Sequence, residues 1–471
     1  MDKKDKEIEA LKEEIVVLKA VIVALEKRVA QFERMLGMNS SNSSKPPSSD
    51  GLRKKPSPKS LRVKGQKPSG GQKGHKGHTL EQVDEVSQRI IHTVETCKVC
   101  QKSLVEIPPS TSIKRQVFDI PEPNLEVTEH CAEVKICSCG AQTTAAFPEN
   151  ITAPVQYGPR VKALAVYFSN QQLIPEDRLQ QTFEDLFSLP ISTATLAKIN
   201  NDFANQVAPI QAQVLEDLKA EEVKGADESG LRIGGKTKWL HTIGSERATH
   251  YRVSEKRGDL LEGIQGILVH DHWKPYFNLK NIEHALCNAH HLRELKALEE
   301  IEKEPWAFKM SRFLRIMNRL KDPPLGRAMQ LYDRIVEAGL RFNVSQTQPG
   351  GRKRRVGHNL LLRLRDFKEE TLRFLTTPGV PFTNNQSEQD IRMIKVKQKI
   401  SGGFRTTRGA EVFCLIRGFL STRRKAWRSA TQTRCATSFL TPWSTCIEQD
   451  PDAKVPASAQ SKTTCAWFSE K

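Results

Sequence analysis

The chain has 471 residues, which is enough for several domains. Its 73 lysines and arginines against 55 aspartates and glutamates leave a formal charge of +18, and so basic a chain predicts a polyanionic partner such as nucleic acid. No continuous apolar run reaches membrane-spanning length and the N-terminus is acidic, so the sequence argues against a membrane protein or a secretory signal and predicts a cytoplasmic protein.

Residues 1–38 carry a heptad pattern. Its seam positions are apolar: Ile8, Ile15, Ile22, Val29 and Leu36 at the first, and Leu11, Leu18, Leu25 and Phe32 at the second. Mainly β-branched residues at the first position and mainly Leu at the second favour a parallel two-stranded coiled coil. We therefore expect a homodimer or higher multimer. The alternative is a single amphipathic helix that packs on its own chain.

Residues 39–80 form a polar, basic segment. It begins SSNSSKPPSSD and ends GGQKGHKGH, and the part from Gly51 to His78 has nine Lys and Arg and no acid. Such a composition cannot bury enough apolar surface to order itself, so we expect a flexible linker that attracts phosphates. A solubilising tether is the alternative.

Residues 81–150 contain two close cysteine pairs, which favours reduced or metal-bound thiols over a disulfide framework. The paired residues are Cys97, Cys100, Cys137 and Cys139. Between the pairs, IKRQVFDIP and NLEVTEHCAEVKI alternate in the manner of short strands. Four thiolates suit a structural Zn²⁺, so we expect a zinc ribbon, with His130 and Cys131 as substitute ligands. Reduced structural thiols are the alternative.

Residues 151–215 are expected to be helical. The segment from Tyr157 to Leu173 is apolar on one face, and RLQQTFEDLF and TLAKINNDFANQV flank a Pro/Ser turn. Two short helices around a turn are typical of a helix-turn-helix, which places its second helix in a DNA groove. Packing of an ordinary helical hairpin explains the same pattern.

Residues 216–425 are predicted to form the main α/β domain. EVKGADESGLRI, KTKWLHTIGS and THYRVSEK have the pattern of three strands, RGDLLEG that of a short helix, and GILVHDHW that of a fourth, buried strand. This order is typical of a ribonuclease-H-like mixed sheet flanked by helices. In that topology Asp227, in the first strand, and Asp271, at the end of the fourth, are adjacent in space.

Helices follow from Leu292 to Leu375, interrupted by a basic loop at Arg352 to Arg355 that is either a solvated charge cluster or a phosphate clamp. The run VPFTNNQSEQDIRMIKVKQKISGGFR then predicts a helix that begins near Asn385, with Glu388 in its first turn. Four basic residues come after this acid: Arg392, Lys395, Lys397 and Lys399. A metal-binding carboxylate beside a phosphate-binding face is one interpretation, and a solvated amphipathic helix is the other.

Several long strings resemble those of the insertion-sequence sixty-six family of bacterial DDE transposases. They include GADESGLRIGGKTKWLHT, VHDHWKPYF, HALCNAHHLREL and the run from Val380 to Arg405, and the resemblance extends from about Met1 to Arg424. It implies that Asp227, Asp271 and Glu388 are the catalytic triad of a ribonuclease-H-like core, interrupted by a helical insertion at about 295–375. It also implies DNA element ends and target as partners, other proteins of the same element, and a place at the bacterial nucleoid.

Phosphodiester cleavage and strand transfer require metal-binding carboxylates of this kind. Two Mg²⁺ (or Mn²⁺) ions bridged by carboxylates activate the nucleophile and stabilise the leaving oxygen. We expect Asp227 to bridge the ions, with Asp271 on one ion and Glu388 on the other. We also expect His290 and Arg293 to line the site and contact DNA, alongside the four basic residues that follow Glu388. Zinc at Cys287-x-x-His290 is disfavoured, since no second ligand pair stands nearby. His270 and His272 either orient Asp271 or lie on the surface.

Two departures from the family pattern bear on activity. The stretch from Arg257 to Val269 is shorter than usual in the family, which could misplace Asp271. Residues 426–471 lose the helical pattern, as either a shifted reading frame or a lineage-specific tail would produce. We expect this tail to be poorly ordered. The alternative functions are therefore a catalytically inactive DNA-binding remnant and a scaffold of a transposition complex.

Overall fold

The computed structural model describes residues 3–38, 42, 80–120, 122–345 and 355–430. Residues 39–79 of the predicted basic linker, apart from residue 42, lie outside these ranges, as do Arg352 to Arg354 of the basic loop and the tail beyond residue 430. The chain divides into two compact units, Ser57–Glu126 and the remainder. Within the described ranges, the helices are all too short or too polar to traverse a lipid bilayer.

Helix α1 (Lys3–Gly37) contains the heptad segment. Its seam side chains Ile15, Leu18, Ile22 and Leu25 are about half exposed on the single chain. An apolar seam of this length therefore has water on it unless another surface covers it.

Each cysteine pair lies on a tight turn of its own unit. In Ser57–Glu126, Thr96 bridges to Ser103, and Gln101 N–H donates to Cys97 O at 3.0 Å. In the other unit, β1 (Val134–Ile136) and β2 (Gln142–Thr144) pair antiparallel, and Cys137 begins the turn between them. The predicted strand at residues 113–120 is wrong, because side chains such as Ile113 and Val117 are about 90% exposed and have no sheet to pack on.

Three helices and a π-helical turn form the segment before the sheet: α2 (Pro159–Val166), the turn Tyr167–Gln171, α3 (Glu176–Phe187) and α4 (Thr193–Ala220). Ser192 caps α4 by accepting the N–H of Thr195 at 3.1 Å. The apolar face of α4 packs in one core with the C-terminal helix, where Phe203 meets Phe419 edge to face.

A five-stranded mixed sheet is the centre of the main unit. Its strands are β3 (Val223–Ile233), β4 (Lys236–Gly244), β5 (Thr249–Ser254), β6 (Ile267–His270) and β7 (Glu283–Leu286). The order is β5-β4-β3-β6-β7. β4 pairs antiparallel with both β3 and β5, whereas β6 pairs parallel with both β3 and β7. The mixed α/β class predicted from the sequence is thus confirmed.

The connection from β5 to β6 is not the predicted short helix. Residues 255–266 form turns and bends, with Gly263 and Gly266 at positive φ. Leu261 instead packs against the core cluster of Leu218, Ile243 and Ile264, and Leu260 packs against the cluster of Ala226, Leu268 and Tyr276. Seven residues are too few to gain from helix propagation, and burial of the two leucines decides the backbone path.

Helices cover the sheet and form the predicted insertion: α5 (Asn288–Glu300), α6 (Pro305–Met317), α7 (Leu325–Ser345), α8 (Val356–Asp366) and α9 (Lys368–Thr376). They share a core built around Trp306, Tyr332 and Leu361. α10 (Asn385–Ser401) and α11 (Thr407–Ala430) then return to the sheet. The predicted helix start near Asn385 is confirmed, and α11 continues six residues beyond Arg424, where the helical pattern was expected to stop.

Candidate active site

Two acids lie at equivalent points of neighbouring parallel strands. Gly225 pairs with Val269, so Asp227 and Asp271 each lie two residues further along β3 and β6. Asp227 is within β3, and Asp271 is the first residue after β6. Backbone N–H groups fix both carboxylates: Glu228 N–H donates to Asp227 Oδ1 and Trp273 N–H to Asp271 Oδ1, each at 2.9 Å.

Helix α10 brings Glu388 to the same strand. Asn384 precedes the helix, but its side chain does not cap it; its Nδ2 donates to Ala226 O at 2.6 Å. The Ser387 side chain lies against Gly225. Because Glu388 is the next residue in this first turn, it is positioned beside the β3 segment that carries Asp227.

The three acids interact electrostatically. Burial raises the pKa of Asp227 well above its ordinary value, and the charges of Glu228, Glu388 and Asp271 raise it further. The pKa of Asp271 is raised mainly by burial and by Glu228, with a smaller contribution from Glu388. The site therefore concentrates negative charge in a partly desolvated place, which favours binding of a proton or a cation.

Glu388 has two basic neighbours on α5. Arg293 Nη2 donates to Glu388 Oε1 at 3.2 Å, and His290 Nε2 lies 4.0 Å from the same oxygen. Burial and the Arg293 charge lower the pKa of His290 to about 4, so its imidazole is neutral at pH 7. Arg293 is therefore the cation that balances Glu388.

Two other acids near the site have partners within the chain. The Glu228 side chain is only 2% exposed and accepts from Arg257 Nε at 2.9 Å and from the Tyr276 hydroxyl at 2.5 Å. Asp390 accepts from Lys425 Nζ at 2.9 Å and from the Thr249 hydroxyl at 3.0 Å. Both carboxylates are occupied by cations or hydroxyls, so neither is available as a ligand.

Of the two histidines that flank Asp271, His270 is fully buried. Its Nε2 lies 3.0 Å from His284 Nδ1, and its ring stacks on Tyr276. Burial lowers its pKa to about 3. His272 is partly buried and packs edge-on against Phe367. Both rings are part of the packing beneath Asp271, and neither is an exposed surface histidine.

The basic residues of α10 differ in exposure. Arg392 and Lys399 are exposed, whereas Lys395 and Lys397 are partly buried. Lys395 Nζ donates to Gly230 O at 2.6 Å, which ties α10 to β3. Arg355, the described residue of the basic loop, is 3.3 Å from the buried Glu304 and so faces inward.

The tightest set of metal-ligating atoms in the described part of the chain differs from the predicted triad. Donor atoms of Cys287, His290 and Glu388 all lie within 4.8 Å of one another. Asp227, Asp271 and Glu388 do not form such a set there. Glu388 thus lies between two groups, the strand-borne aspartates and the first turn of α5.

The chain matches the model of a known family. Residues 154–412, more than half of the chain, match the model described as Transposase IS66 family. The chain belongs to that family. The match spans the helical segment, the sheet, the insertion and α10, so it contains all three predicted acids. Residues 1–81 match a family of unknown function (DUF6444). No curated protein matches the chain.

Membership of the transposase family confirms the resemblance found in the sequence, but the sequence did not indicate several residues that shape this site. The Arg257 guanidinium lies 4.2 Å from the ring centre of Trp273 and 5.2 Å from that of Trp239 while it pairs with Glu228. Their positions in the sequence show no shared spacing. The bond from Asn384 Nδ2 to Ala226 O has no sequence signal either.

Proposed function

We propose that this chain is a DNA transposase that binds the ends of its insertion element and catalyses metal-dependent strand cleavage and strand transfer. The observation that carries the proposal is the juxtaposition of Asp227 and Asp271 on neighbouring parallel strands, with Glu388 delivered to the same place by α10. The strand order, three antiparallel strands followed by two parallel ones, supports a ribonuclease-H-like core.

The acids fit Mg²⁺ or Mn²⁺. Carboxylate oxygens are the ligands that such hard ions prefer, and burial together with the neighbouring acids raises the pKa of Asp227 and Asp271, so a bound cation would stabilise their charged forms. In our assignment Asp227 would contribute to both ions, Asp271 would hold one and Glu388 would hold the other. Bound there, the ions would activate the attacking oxygen and stabilise the leaving one.

Basic side chains around the acids would hold the DNA backbone. Arg293 flanks Glu388, with the neutral imidazole of His290 beside it as a polar contact, and Arg392 and Lys399 extend the basic surface along the exposed face of α10. Lys395 and Lys397 add positive charge from partly buried positions. Phosphate contacts of this kind position DNA without reading its sequence.

The other segments would assemble and anchor the complex. The cysteine turns suit a structural Zn²⁺, because backbone N–H groups of Cys100 and Val99 lower the pKa of the Cys97 thiol, and that of Cys139 lowers the pKa of Cys137. α1 would form a homodimer or higher multimer through its seam. The basic linker and the α3–α4 pair would grip DNA in the bacterial cytoplasm, with other proteins of the element as further partners.

The short connection before Asp271 does not argue against catalysis. Residues 255–266 turn without a helix, and β6 still pairs with β3 in the register that sets Asp271 next to Asp227. The alternative function, an inactive DNA-binding remnant, is therefore left to the nicking experiment that follows.

Nicking of double-stranded DNA that carries the element ends, with Mg²⁺ present, tests the proposal. Asp227→Asn should reduce nicking by about 1,000-fold or more, because a metal site supplies several kcal/mol to the transition state and each ~1.4 kcal/mol is tenfold in rate. Asp259→Asn, which changes an exposed acid between β5 and β6, should leave nicking intact. Failure of the wild-type chain to nick, with DNA binding retained, would establish the remnant instead.

A further inference from the structure

The first turn of α5 presents a thiol and an imidazole three residues apart. Cys287 is the N-cap residue of the helix, and His290 N–H donates to Cys287 O at 3.2 Å. In the sequence this pair lacked further ligands. The fold supplies a third ligand, Glu388, from 98 residues beyond His290. Glu388 Oε1 lies 4.0 Å from His290 Nε2, and donor atoms of the three residues are all within 4.8 Å of one another.

These three donors select a different ion from the aspartates. A thiolate, an imidazole and a carboxylate are the ligands of Zn²⁺, which binds them at about 2.0–2.3 Å and keeps a fourth position for a water or a substrate oxygen. Around such an ion the donors lie roughly 3–4 Å apart, so side-chain movements of about 1 Å would close the set.

Burial opposes ionisation of the Cys287 thiol, but two features beside the sulfur favour a thiolate ligand. Asn384 N–H donates to Cys287 Sγ at 3.1 Å, and Sγ stands at the positive end of α5. His290 Nδ1 is buried and has no hydrogen-bond partner in the described structure. Burial holds the pKa of the Cys287 thiol at about 11, so an incoming cation has to displace its proton.

We propose that Cys287, His290 and Glu388 form a Zn²⁺ site that shares Glu388 with the catalytic metal pair of the proposed function. On binding, zinc takes Glu388 Oε1 from Arg293 and releases the Cys287 proton. Because Glu388 then faces α5, it no longer serves the ion next to Asp227. Zinc at this site is therefore an inhibitor that competes with Mg²⁺.

Cobalt absorption tests the site without any need for activity. The full chain is titrated with Co²⁺, whose bond to a thiolate gives a near-ultraviolet charge-transfer band, and wild type is compared with Cys287→Ser. Cys414→Ser is the matched control, because Cys414 is equally buried but lies in a different core. Subtracting the cobalt absorption spectrum of the variant from that of the wild type removes the contribution of cobalt bound at the cysteines of residues 97–139, which both proteins share.

We expect Cys287→Ser to lose one bound cobalt and part of the band, and Cys414→Ser to match wild type. Identical titrations of wild type and Cys287→Ser would overturn the proposal. If circular dichroism shows that Cys287→Ser is unfolded, His290→Asn replaces it and should lose the same cobalt.

Zinc inhibition tests the sharing of Glu388. In the nicking reaction, Zn²⁺ should inhibit wild type, more Mg²⁺ should relieve the inhibition, and Cys287→Ser should need about 100-fold more zinc or above, since outer-shell partners alone change metal affinity about 10–100-fold. Inhibition that is equal in wild type and Cys287→Ser would refute the shared ligand. Absence of wild-type nicking would refute the proposed function, while the cobalt difference would still decide whether zinc binds.

Discussion

Asp227 and Glu228 are adjacent acids that differ in their electrostatic partners. Glu228 is paired with Arg257 and the Tyr276 hydroxyl, while among its described contacts Asp227 accepts a backbone N–H and has other acids around it. Asp390 is likewise paired, with Lys425, and Glu388 has Arg293 beside it at 3.2 Å. A carboxylate that the chain does not neutralise is the one available to an external cation.

This charge crowding predicts that Asp227→Asn stabilises the metal-free protein. The folded-state pKa of Asp227 is raised above its unfolded value, so the folded state binds the proton more tightly and the metal-free chain loses stability as pH rises through that raised pKa. At a pH above that raised pKa and with a chelator, removal of the charge should raise Tm by roughly 2–4 °C, the shift that about 1 kcal/mol produces in a domain of 150–250 residues.

Differential scanning calorimetry measures this effect. Mg²⁺ should raise Tm of the wild type and have little effect on Asp227→Asn, because a ligand that binds the folded state stabilises it by an amount that grows with the logarithm of its concentration over Kd. A lower Tm for Asp227→Asn in chelator would show that the wild-type carboxylate has a stabilising partner, which contradicts our description of the site.

Exposure predicts which cations of α10 contact DNA. Arg392→Ala and Lys399→Ala should each weaken DNA binding and reduce the slope of log K against log salt by roughly 0.9, the change expected for one lost phosphate contact. Lys395→Ala removes the same charge from the same helix, but this amine is bound to Gly230 O, so it should change thermal stability more than the slope. Fluorescence anisotropy at several salt concentrations measures the slopes, and equal slope changes for all three variants would argue against this division.

At the scale of secondary-structure elements, the site depends on the contact of α10 with β3. Gly225 allows this contact: a Cβ there would lie 2.2 Å from Asn384 Oδ1 and 2.5 Å from Ser387 Oγ. Both side chains belong to the turn that carries Glu388. The absence of a side chain at one strand position therefore sets the distance between the helix-borne acid and the strand-borne ones.

Gly225→Ala should displace the first turn of α10. We expect a loss of about 1–3 kcal/mol in the free energy of unfolding, the usual effect of overpacking, together with nicking reduced by about 100-fold, since misplacement of a reacting group by 1 Å has that effect. The matched control is Gly230→Ala in the same strand, where the nearest atom to a new Cβ is Thr237 Cγ2 at 3.7 Å. If Gly225→Ala and Gly230→Ala had equal effects on nicking, close helix–strand contact would not be what positions Glu388.

At the scale of the whole molecule, α1 carries a long row of exposed apolar side chains. Its heptad seam is exposed along most of the helix, although water contact with so many apolar residues is unfavourable. A second copy of the same helix would bury this seam, and a parallel pair would place two basic linkers side by side for two DNA ends.

Charged substitutions in the seam of α1 test whether this helix holds the multimer together. Leu18→Glu combined with Leu25→Glu should convert a dimer or higher multimer to a monomer, because like charges would face each other in the seam. Val16→Glu combined with Val23→Glu is the control, since these valines are also exposed but lie off the seam. Light scattering coupled to size-exclusion chromatography gives the masses. A monomeric wild type, or a seam variant with unchanged mass, would remove α1 as the multimerisation element.

The amino-acid sequence by itself determined the local elements of the core. Periodicity and turn residues that lie within a few positions along the chain predict three of these elements. They are strand β3, the buried strand that ends before Asp271, and the start of α10 at Asn385. The same local rules failed at residues 113–120 and 257–263. There the outcome depended on whether apolar side chains found a surface to pack on, which is not a local property.

Only the tertiary structure decided which acids are available and what lies beside them. The neutralisation of Glu228 by Arg257 and of Asp390 by Lys425, and the approach of Glu388 to Cys287 and His290, join residues 29 to 101 positions apart. Charge and ligand contacts act over a few ångströms through space, whereas sequence patterns record neighbours along the chain. The folded chain therefore had to be known before the second metal-binding set at Glu388 could be seen.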